Sequence, residues 1–174
     1  VPASNLIGEL HGGWRLITSQ LNHERLGLGS WADKVFAPFG KVLQWAKARD
    51  EHGRRAVDQA WVRRSLAECY TRLEAMRLTN FRIAADLEEG GMDVALASTT
   101  KVYGSESVIE ILRRLMDIVG SSALVRSDSS AAFLMGELEY ELRSATISPF
   151  GGGVNEIQRE LIAQFGLGMP RPVR

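Results

Sequence analysis

Apolar residues recur every three or four positions along almost the whole chain, and no segment sustains an alternation of apolar and polar residues. Spacing of three and four places side chains on one face of an α-helix, whereas a half-buried strand needs a period of two. The sequence therefore predicts an all-α protein, an antiparallel (up-down) bundle of about five helices joined mostly by short connections.

The clearest helical segment is expected to begin at Asp58 as the N-cap residue and to run to about Glu89. Its apolar positions are Trp61, Val62, Leu66, Cys69, Leu73, Met76, Leu78, Phe81, Ile83 and Leu87. An earlier helical segment starts at Gly13 and is expected to end near Arg49–Gly53. Pro38 should kink or divide that segment, because proline lacks the amide hydrogen that an α-helix needs.

A further helix is expected to open at Asp93 or Ser98 and to end at Gly120, because aspartate and serine cap helix N-termini and glycine commonly follows helix C-termini. A small polar loop then occupies Ser121–Ser130. The apolar pattern resumes over Ala131–Ile147 and predicts another helix there.

Three successive glycines, 151–153, precede the last helical pattern, for which Asn155 is the expected N-cap and Gly166 or Gly168 the expected end. Glycine loses the most backbone entropy on being fixed, so this run predicts a tight turn and not the start of a helix. The turn would deliver a helix N-terminus, whose free amides suit a phosphate or cofactor edge, although most such turns only redirect the chain.

Composition narrows the functional classes. The 174 residues include 21 basic and 21 acidic side chains, which argues against a nucleic-acid-binding or basic membrane-surface protein. Cys69 is the only cysteine, expected to be a small buried hydrophobe, and the three histidines lack metal-ligand spacing, so no metal is predicted. No apolar run approaches the roughly 18 residues of a membrane span and no signal peptide is visible, so we expect a cytoplasmic protein.

Three segments resemble parts of the acyl-CoA dehydrogenase family. GGVNEIQRELIA resembles its C-terminal signature, and LQWAKARDEHGRRAVD resembles its Tyr-Ala-x-x-Arg-x-x-Phe-Gly segment. VPASNLIGELHGGWRLITSQLNHERLGLG resembles the passage from its middle β domain into its C-terminal helical domain. The resemblance implies a lead-in over residues 1–10 from an absent β domain, a helical domain over residues 11–174, and no activity for this chain alone.

Members of that family remove a proton from the α-carbon of an acyl-CoA and pass a hydride from the β-carbon to FAD, which requires a carboxylate base. In many members the base precedes the Gly-Thr of the last motif, where this chain has Gly152. Isovaleryl- and long-chain-type members instead carry the base in a Leu-x-x-Glu-Arg segment, which LNHER matches. The resemblance therefore implies that Glu24 is the base. The implied substrate-binding residues are Asn22, Arg25 and Gly153.

The family's FAD-contacting motifs are matched less completely in this chain than the motif that carries the base. Arg49 matches an arginine that reaches the FAD pyrophosphate of a neighbouring subunit, whereas His52 replaces a phenylalanine and Val154 replaces a threonine. Asp117 replaces the first Gln of a Gln-Ile-Leu-Gly-Gly loop, which puts a negative charge near a dinucleotide. The implied cofactor-binding residues are Arg49, His52, Asp117, Gly120, Ser121, Val154, Asn155 and Glu156.

Two functions follow from the resemblance. The first is an FAD-dependent acyl-CoA dehydrogenase of fatty-acid or steroid side-chain β-oxidation, a homo- or hetero-oligomer (dimer or tetramer) that passes electrons to an electron-transfer flavoprotein. The second is a non-catalytic or degenerate helical subunit that serves assembly of a heteromeric acyl-CoA dehydrogenase. Glu24 and Arg49 favour the first function. Four residues favour the second: Gly152, Asp117, Val154 and His52.

Overall fold

The structure, a computed structural model, describes residues 1–27, 30–89, 91 and 93–171, with the side chains of residues 22, 23, 25–27 and 30–33 excepted. These residues form six α-helices and no strand. The all-α prediction is confirmed, with six helices instead of about five. The helices are α1 (Gly13–Gly27), α2 (Ser30–Lys47), α3 (Ala60–Glu88), α4 (Val94–Val119), α5 (Glu137–Ala145) and α6 (Asn155–Leu161), and a π-helical turn (Ile162–Gly166) extends α6.

Helices α1 and α2 lie on either side of residues 28 and 29, which are outside the described residues, and Pro38 does not divide the chain but lies inside α2. Pro38 is fully buried beside Val35 and Phe39, which are also buried. Packing of this apolar face offsets the hydrogen bond that proline removes from the helix. A buried proline is therefore retained within a continuous helix.

Helix α4 is the centre of the bundle and contacts α1, α2, α3, α5 and α6. Its C-terminal half supplies the large core side chains Ile111, Leu112 and Leu115, all fully buried. They pack in one cluster with Leu73 of α3 and Val42 of α2. Burial of each such side chain contributes about 1.5–3 kcal/mol, so this cluster supplies most of the apolar stabilisation.

Two expectations for α3 and α4 have different outcomes. Asp93 caps α4 as predicted, because its carboxylate accepts hydrogen bonds from the amides of Ala95 (2.8 Å) and Leu96 (3.1 Å). Asp58 is not the N-cap of α3: it ends a short 3-10 turn, and Gln59 occupies the cap position. The carboxylate of Asp58 instead pairs with the Arg55 guanidinium at 2.7 Å, because an ionic partner is within reach.

The predicted helix over Ala131–Ile147 is wrong in its first half. Leu134, Met135 and Gly136 all have positive φ (47°, 54° and 77°), and α5 begins only at Glu137. At Gly136 an added Cβ would lie 2.6 Å from the backbone nitrogen of Ser127. This close approach folds the chain back on itself, and only glycine meets both the φ and the space.

Cys69 is fully buried in the core cluster, as expected for a small hydrophobe. Burial raises the pKa of its thiol to about 11. The thiol therefore stays protonated near neutral pH and serves packing.

Candidate functional site

The glycine turn lies between α5 and α6 and has left-handed backbone at Gly152 (φ 66°) and Gly153 (φ 91°). The amide of Asn155 donates to the carbonyl oxygen of Pro149 at 3.0 Å and closes the turn. Phe150 and Gly151 are exposed, so the turn presents an accessible outer edge. The turn predicted from the three glycines is confirmed.

Asn155 does not cap α6; Val154 occupies the cap position and Asn155 is the first helical residue. Its side chain turns inward, is 3% exposed and bonds to α4. The amide oxygen accepts from Lys101 Nζ at 2.6 Å, and the amide nitrogen donates to Ser105 Oγ at 3.1 Å and to Glu106 Oε1 at 3.0 Å. Three partners on α4 hold this amide more firmly than a single capping bond would.

The inner side of the turn is filled by Gln158, which is 1% exposed. Its amide nitrogen donates to the Gly152 carbonyl oxygen at 3.3 Å, while its buried amide oxygen has no hydrogen-bond partner among the described residues. A Cβ added at Gly153 would lie 2.7 Å from the Gln158 amide nitrogen. The turn thus requires glycine at Gly153 because the space beneath it is occupied.

Glu106 links the buried cluster to the surface of α6. Its carboxylate accepts from Asn155 and, at 2.7 Å, from the guanidinium of Arg159. Partial burial raises the pKa of Glu106, but the hydrogen bonds from Arg159 and Asn155 and the positive charges nearby outweigh it, so the pKa lies below its ordinary value of 4.5. The charged form is the one that holds α4 and α6 together.

The candidate base Glu24 lies on α1 with an exposed side chain. Asn22 and Arg25 lie on the same helix, but their side chains fall outside the described residues. Because α1 contacts α3 and α4, this part of the predicted site is attached to the core of the bundle.

Arg49 lines a cleft of about 720 Å³ formed where the chain leaves α2 and enters α3. Its guanidinium donates to the Gly53 carbonyl oxygen at 2.5 Å. The Asp50 carboxylate organises the loop by accepting from the amides of His52 (2.9 Å) and Arg54 (2.8 Å), bonds that also lower the pKa of Asp50. His52 is exposed and does not line the cleft.

The remaining cofactor candidates divide between two places. Asp117, Gly120 and Ser121 are exposed at the C-terminal end of α4. Ser105, which bonds to Asn155 just after the glycine turn, precedes Asp117 by 12 residues, or about 18 Å along the helix at 1.5 Å per residue. Val154 is half-buried and Glu156 is exposed at the other place, the start of α6. Within this chain the structure separates the predicted cofactor residues.

Sequence reasoning missed the buried partners of the turn, namely Lys101, Ser105 and Gln158. A signal was present, because Lys101 and Ser105 fall at helical spacing on the same face as the apolar residue Val108. A charged residue on a buried helix face must find hydrogen-bonding partners, so this pattern marks a polar cluster.

Comparison with known proteins assigns the chain to a family. Residues 11–167 match the family described as acyl-CoA dehydrogenase, C-terminal domain. The chain therefore belongs to the acyl-CoA dehydrogenase family of oxidoreductases and forms its C-terminal helical domain. Members of this family are FAD-dependent flavoproteins.

Two curated relatives come from Mycobacterium tuberculosis. The chain is 39% identical to acyl-CoA dehydrogenase FadE26 and 36% identical to acyl-CoA dehydrogenase FadE29, with all of this chain covered in both. It spans 44% of the length of each relative.

Two solved structures are also similar. One is the Tcur3481-Tcur3483 steroid ACAD, with a TM-score of 0.91 and 42% identity over 99% of this chain and 44% of that one. The other is the ChsE4-ChsE5 complex from Mycobacterium tuberculosis, with a TM-score of 0.89 and 39% identity over 99% of this chain and 45% of that one.

The described residues hold neither a membrane-spanning helix nor a metal-binding cluster. Across residues 1–27, 30–89, 91 and 93–171, no helix is both long and apolar enough to cross a bilayer. The same part of the chain holds no group of three His, Cys, Asp or Glu side chains placed to bind a metal ion.

We predict that Gly153→Ala lowers the free energy of unfolding by about 1–3 kcal/mol, because alanine must adopt a left-handed backbone and displace Gln158. Gly151→Ala is the matched control in the same turn, since its φ is not positive and nothing lies within 4 Å of its added Cβ. Urea unfolding of both variants measures the difference. Equal destabilisation by the two substitutions would contradict this account of the turn.

We also predict a pH-dependent contribution from Glu106. Its folded-state pKa is lowered, so its stabilisation is present above pH 4.5 and is lost as the pH falls through the folded-state pKa. The difference in unfolding free energy between the wild type and Glu106→Gln should therefore shrink below about pH 4.5. Arg159→Met, which removes the strongest hydrogen bond to the carboxylate, should reduce this pH dependence. Urea unfolding from about pH 3 to 7 measures it, and a difference that does not change with pH would refute the assignment.

Proposed function

We propose that this chain is the C-terminal part of an enzyme that oxidises an acyl-CoA thioester between its α- and β-carbons, with Glu24 as the general base. The observation that carries the proposal is a combination in a chain of this family: one known position of the base lacks a carboxylate, and the other known position has one. The glycine turn offers Gly152 where many members have a carboxylate, and α1 offers Glu24 within LNHER. A carboxylate moved from one position to the other keeps one base per site.

Glu24 would accept the α-proton of the thioester, and bound FAD would supply the hydride acceptor. Glu24 is exposed in this chain, and proton abstraction from a thioester is favoured where water is excluded. The proposal therefore requires that the acyl-CoA and the part of the enzyme outside these residues cover Glu24. The exposed outer edge of the glycine turn, including Gly153, is a surface on which the thioester could rest, and Asn22 and Arg25 would contact the CoA portion.

The arginine cleft supports the assignment of FAD. Guanidinium groups of Arg49, Arg54 and Arg55 line it, and guanidinium donors match the oxygens of a pyrophosphate. Asp50 pairs with Arg54 and Asp58 pairs with Arg55, so the carboxylates of the cleft are already neutralised. Arg49 would hold the pyrophosphate, and His52 would lie beside the cofactor.

The cofactor candidates beyond this cleft would contact FAD from a second subunit. The separation of Asp117–Ser121 from Val154–Glu156 along α4 within one chain fits a cofactor shared between subunits. Val154 supplies no hydroxyl donor, and the exposed carboxylate of Asp117 repels a dinucleotide. These two substitutions favour an arrangement in which another chain supplies the better contacts.

We therefore propose a second feature, assembly with a different acyl-CoA dehydrogenase chain. The similar structures are described as Tcur3481-Tcur3483 and as the ChsE4-ChsE5 complex, each with two differently named chains. One of them is described as a steroid ACAD, so a bulky, steroid-derived acyl-CoA is the proposed substrate. The alternative is a degenerate subunit that serves assembly alone. Such a subunit would also assemble with a different chain, but Glu24 would not act as a base in it. An electron-transfer flavoprotein is the proposed acceptor.

We expect acyl-CoA to bleach the flavin absorbance of the natural polypeptide that carries this sequence, and Glu24→Gln to slow the bleaching by at least about a hundredfold. The measurement is an anaerobic titration with a panel of acyl-CoA thioesters that includes steroid-derived ones. Glu88→Gln, an exposed carboxylate on α3, is the matched control and should bleach normally. The 174-residue chain alone should be colourless and inactive.

If the wild type keeps its flavin but no thioester bleaches it, the degenerate-subunit alternative is favoured. Bleaching that survives Glu24→Gln would show that another group takes the proton.

We expect the polypeptide to retain flavin only when it is produced together with a second acyl-CoA dehydrogenase chain encoded beside it. Light scattering after size exclusion measures the mass and the ratio of chains, and absorbance measures the flavin. Production of each chain alone is the control. A stable homotetramer loaded with flavin, formed by this polypeptide alone, would contradict the pairing.

A further inference from the structure

Lys101 of α4 bridges the two ends of the glycine turn from beneath. Its ammonium donates to the carbonyl oxygen of Pro149 at 2.8 Å and to the side-chain oxygen of Asn155 at 2.6 Å. Pro149 precedes the turn and Asn155 follows it. The residue is only 2% exposed, and a buried ammonium is costly unless hydrogen bonds replace its water. The geometry explains why a charge is tolerated here.

The second end of the bridge is itself held in place. Asn155 also bonds to Ser105 and Glu106, one helical turn further along α4. Helix α4 is the element against which five other helices pack, so it is the least movable support in the domain. The turn is therefore mounted on a rigid element through side-chain bonds at both of its ends.

The turn needs such a support because of its own sequence. Three adjacent glycines have more accessible backbone conformations than any other tripeptide, so an unsupported turn of this composition would sample many shapes. A surface that positions a reacting thioester needs a single shape, because small displacements cost a large part of the rate. The bonds made by Lys101 select one conformation.

We propose that Lys101 is a positioning residue that holds the glycine turn in the conformation used by the acyl-CoA and flavin site. The link to that site rests on the function proposed above, whereas the support of the turn does not. Removal of the ammonium leaves the oxygens of Pro149 and Asn155 without this donor in a buried place. The Pro149 end of the turn then loses its side-chain bond to α4, and Asn155 keeps only its bonds to Ser105 and Glu106.

The experiment compares three variants in the natural polypeptide, assembled with its partner chain if it requires one. Lys101→Met removes the ammonium and keeps the length of the side chain. Ser105→Ala removes a weaker bond to Asn155 and is the second variant, in case Lys101→Met does not fold. Lys41→Met is the matched control, because it removes a lysine whose ion pair joins α2 to Glu137 of α5, away from the turn.

Hydrogen–deuterium exchange is measured for peptides that cover residues 149–156, and kcat and KM are measured with the acyl-CoA that bleaches the flavin. In Lys101→Met we expect exchange in this segment to rise about tenfold or more while exchange in the C-terminal half of α4 stays unchanged. We expect kcat/KM to fall by about tenfold or more in parallel. Ser105→Ala should show smaller changes in the same direction, and Lys41→Met should change neither quantity.

Unchanged exchange at residues 149–156 in both Lys101→Met and Ser105→Ala would overturn the proposal. Equal acceleration throughout the bundle would also overturn it, since Lys101 would then be a general stabiliser. Local loosening with unchanged kcat/KM would refute the link to the site. If none of the thioesters bleaches the flavin of the wild type, the proposed function fails. The exchange data alone still decide whether Lys101 holds the turn.

Discussion

Burial of α4 on most of its faces is the constraint on which the remainder of the structure depends. The two halves of this helix bury different kinds of side chain. The C-terminal half presents Ile111, Leu112 and Leu115 to the helices around it and forms an apolar core. The N-terminal half buries Lys101 and Ser105 among its neighbours, and these polar groups must be paired there. The glycine turn is the element that pairs with them.

This division attaches the exposed glycine turn to the central helix α4. A surface loop of three glycines would ordinarily be among the least ordered parts of a domain. Here its inner side is occupied by Gln158 and its ends are bonded to Lys101, while its outer edge remains exposed. The same arrangement explains why Asn155, at the start of α6, faces inward. An amide that caps its own helix would satisfy one bond, whereas this amide joins α6 to α4.

The separation of the predicted site residues bears on how the enzyme would assemble. Asp117 at the C-terminal end of α4 lies about 18 Å along that helix from Ser105, the partner of Asn155 at the start of α6. Such a distribution is expected when substrate and cofactor lie at contacts between domains and subunits, because each domain then supplies only part of the site. Exposure of Glu24 is consistent with that arrangement, since a base at a contact is covered only after assembly.

The sequence by itself determined the all-α class, the glycine turn and the family, and it narrowed the cap of α4 to Asp93 or Ser98, because periodicity, cap chemistry and motif letters are local. Only the tertiary structure decided the continuity of α2 through Pro38, the fold-back at Gly136 and the inward turn of Asn155. Each of these depends on a distant partner: the core around Pro38, the backbone of Ser127 and the buried face of α4. Local propensity cannot report such partners, because their energies arise only when segments far apart in sequence are packed together.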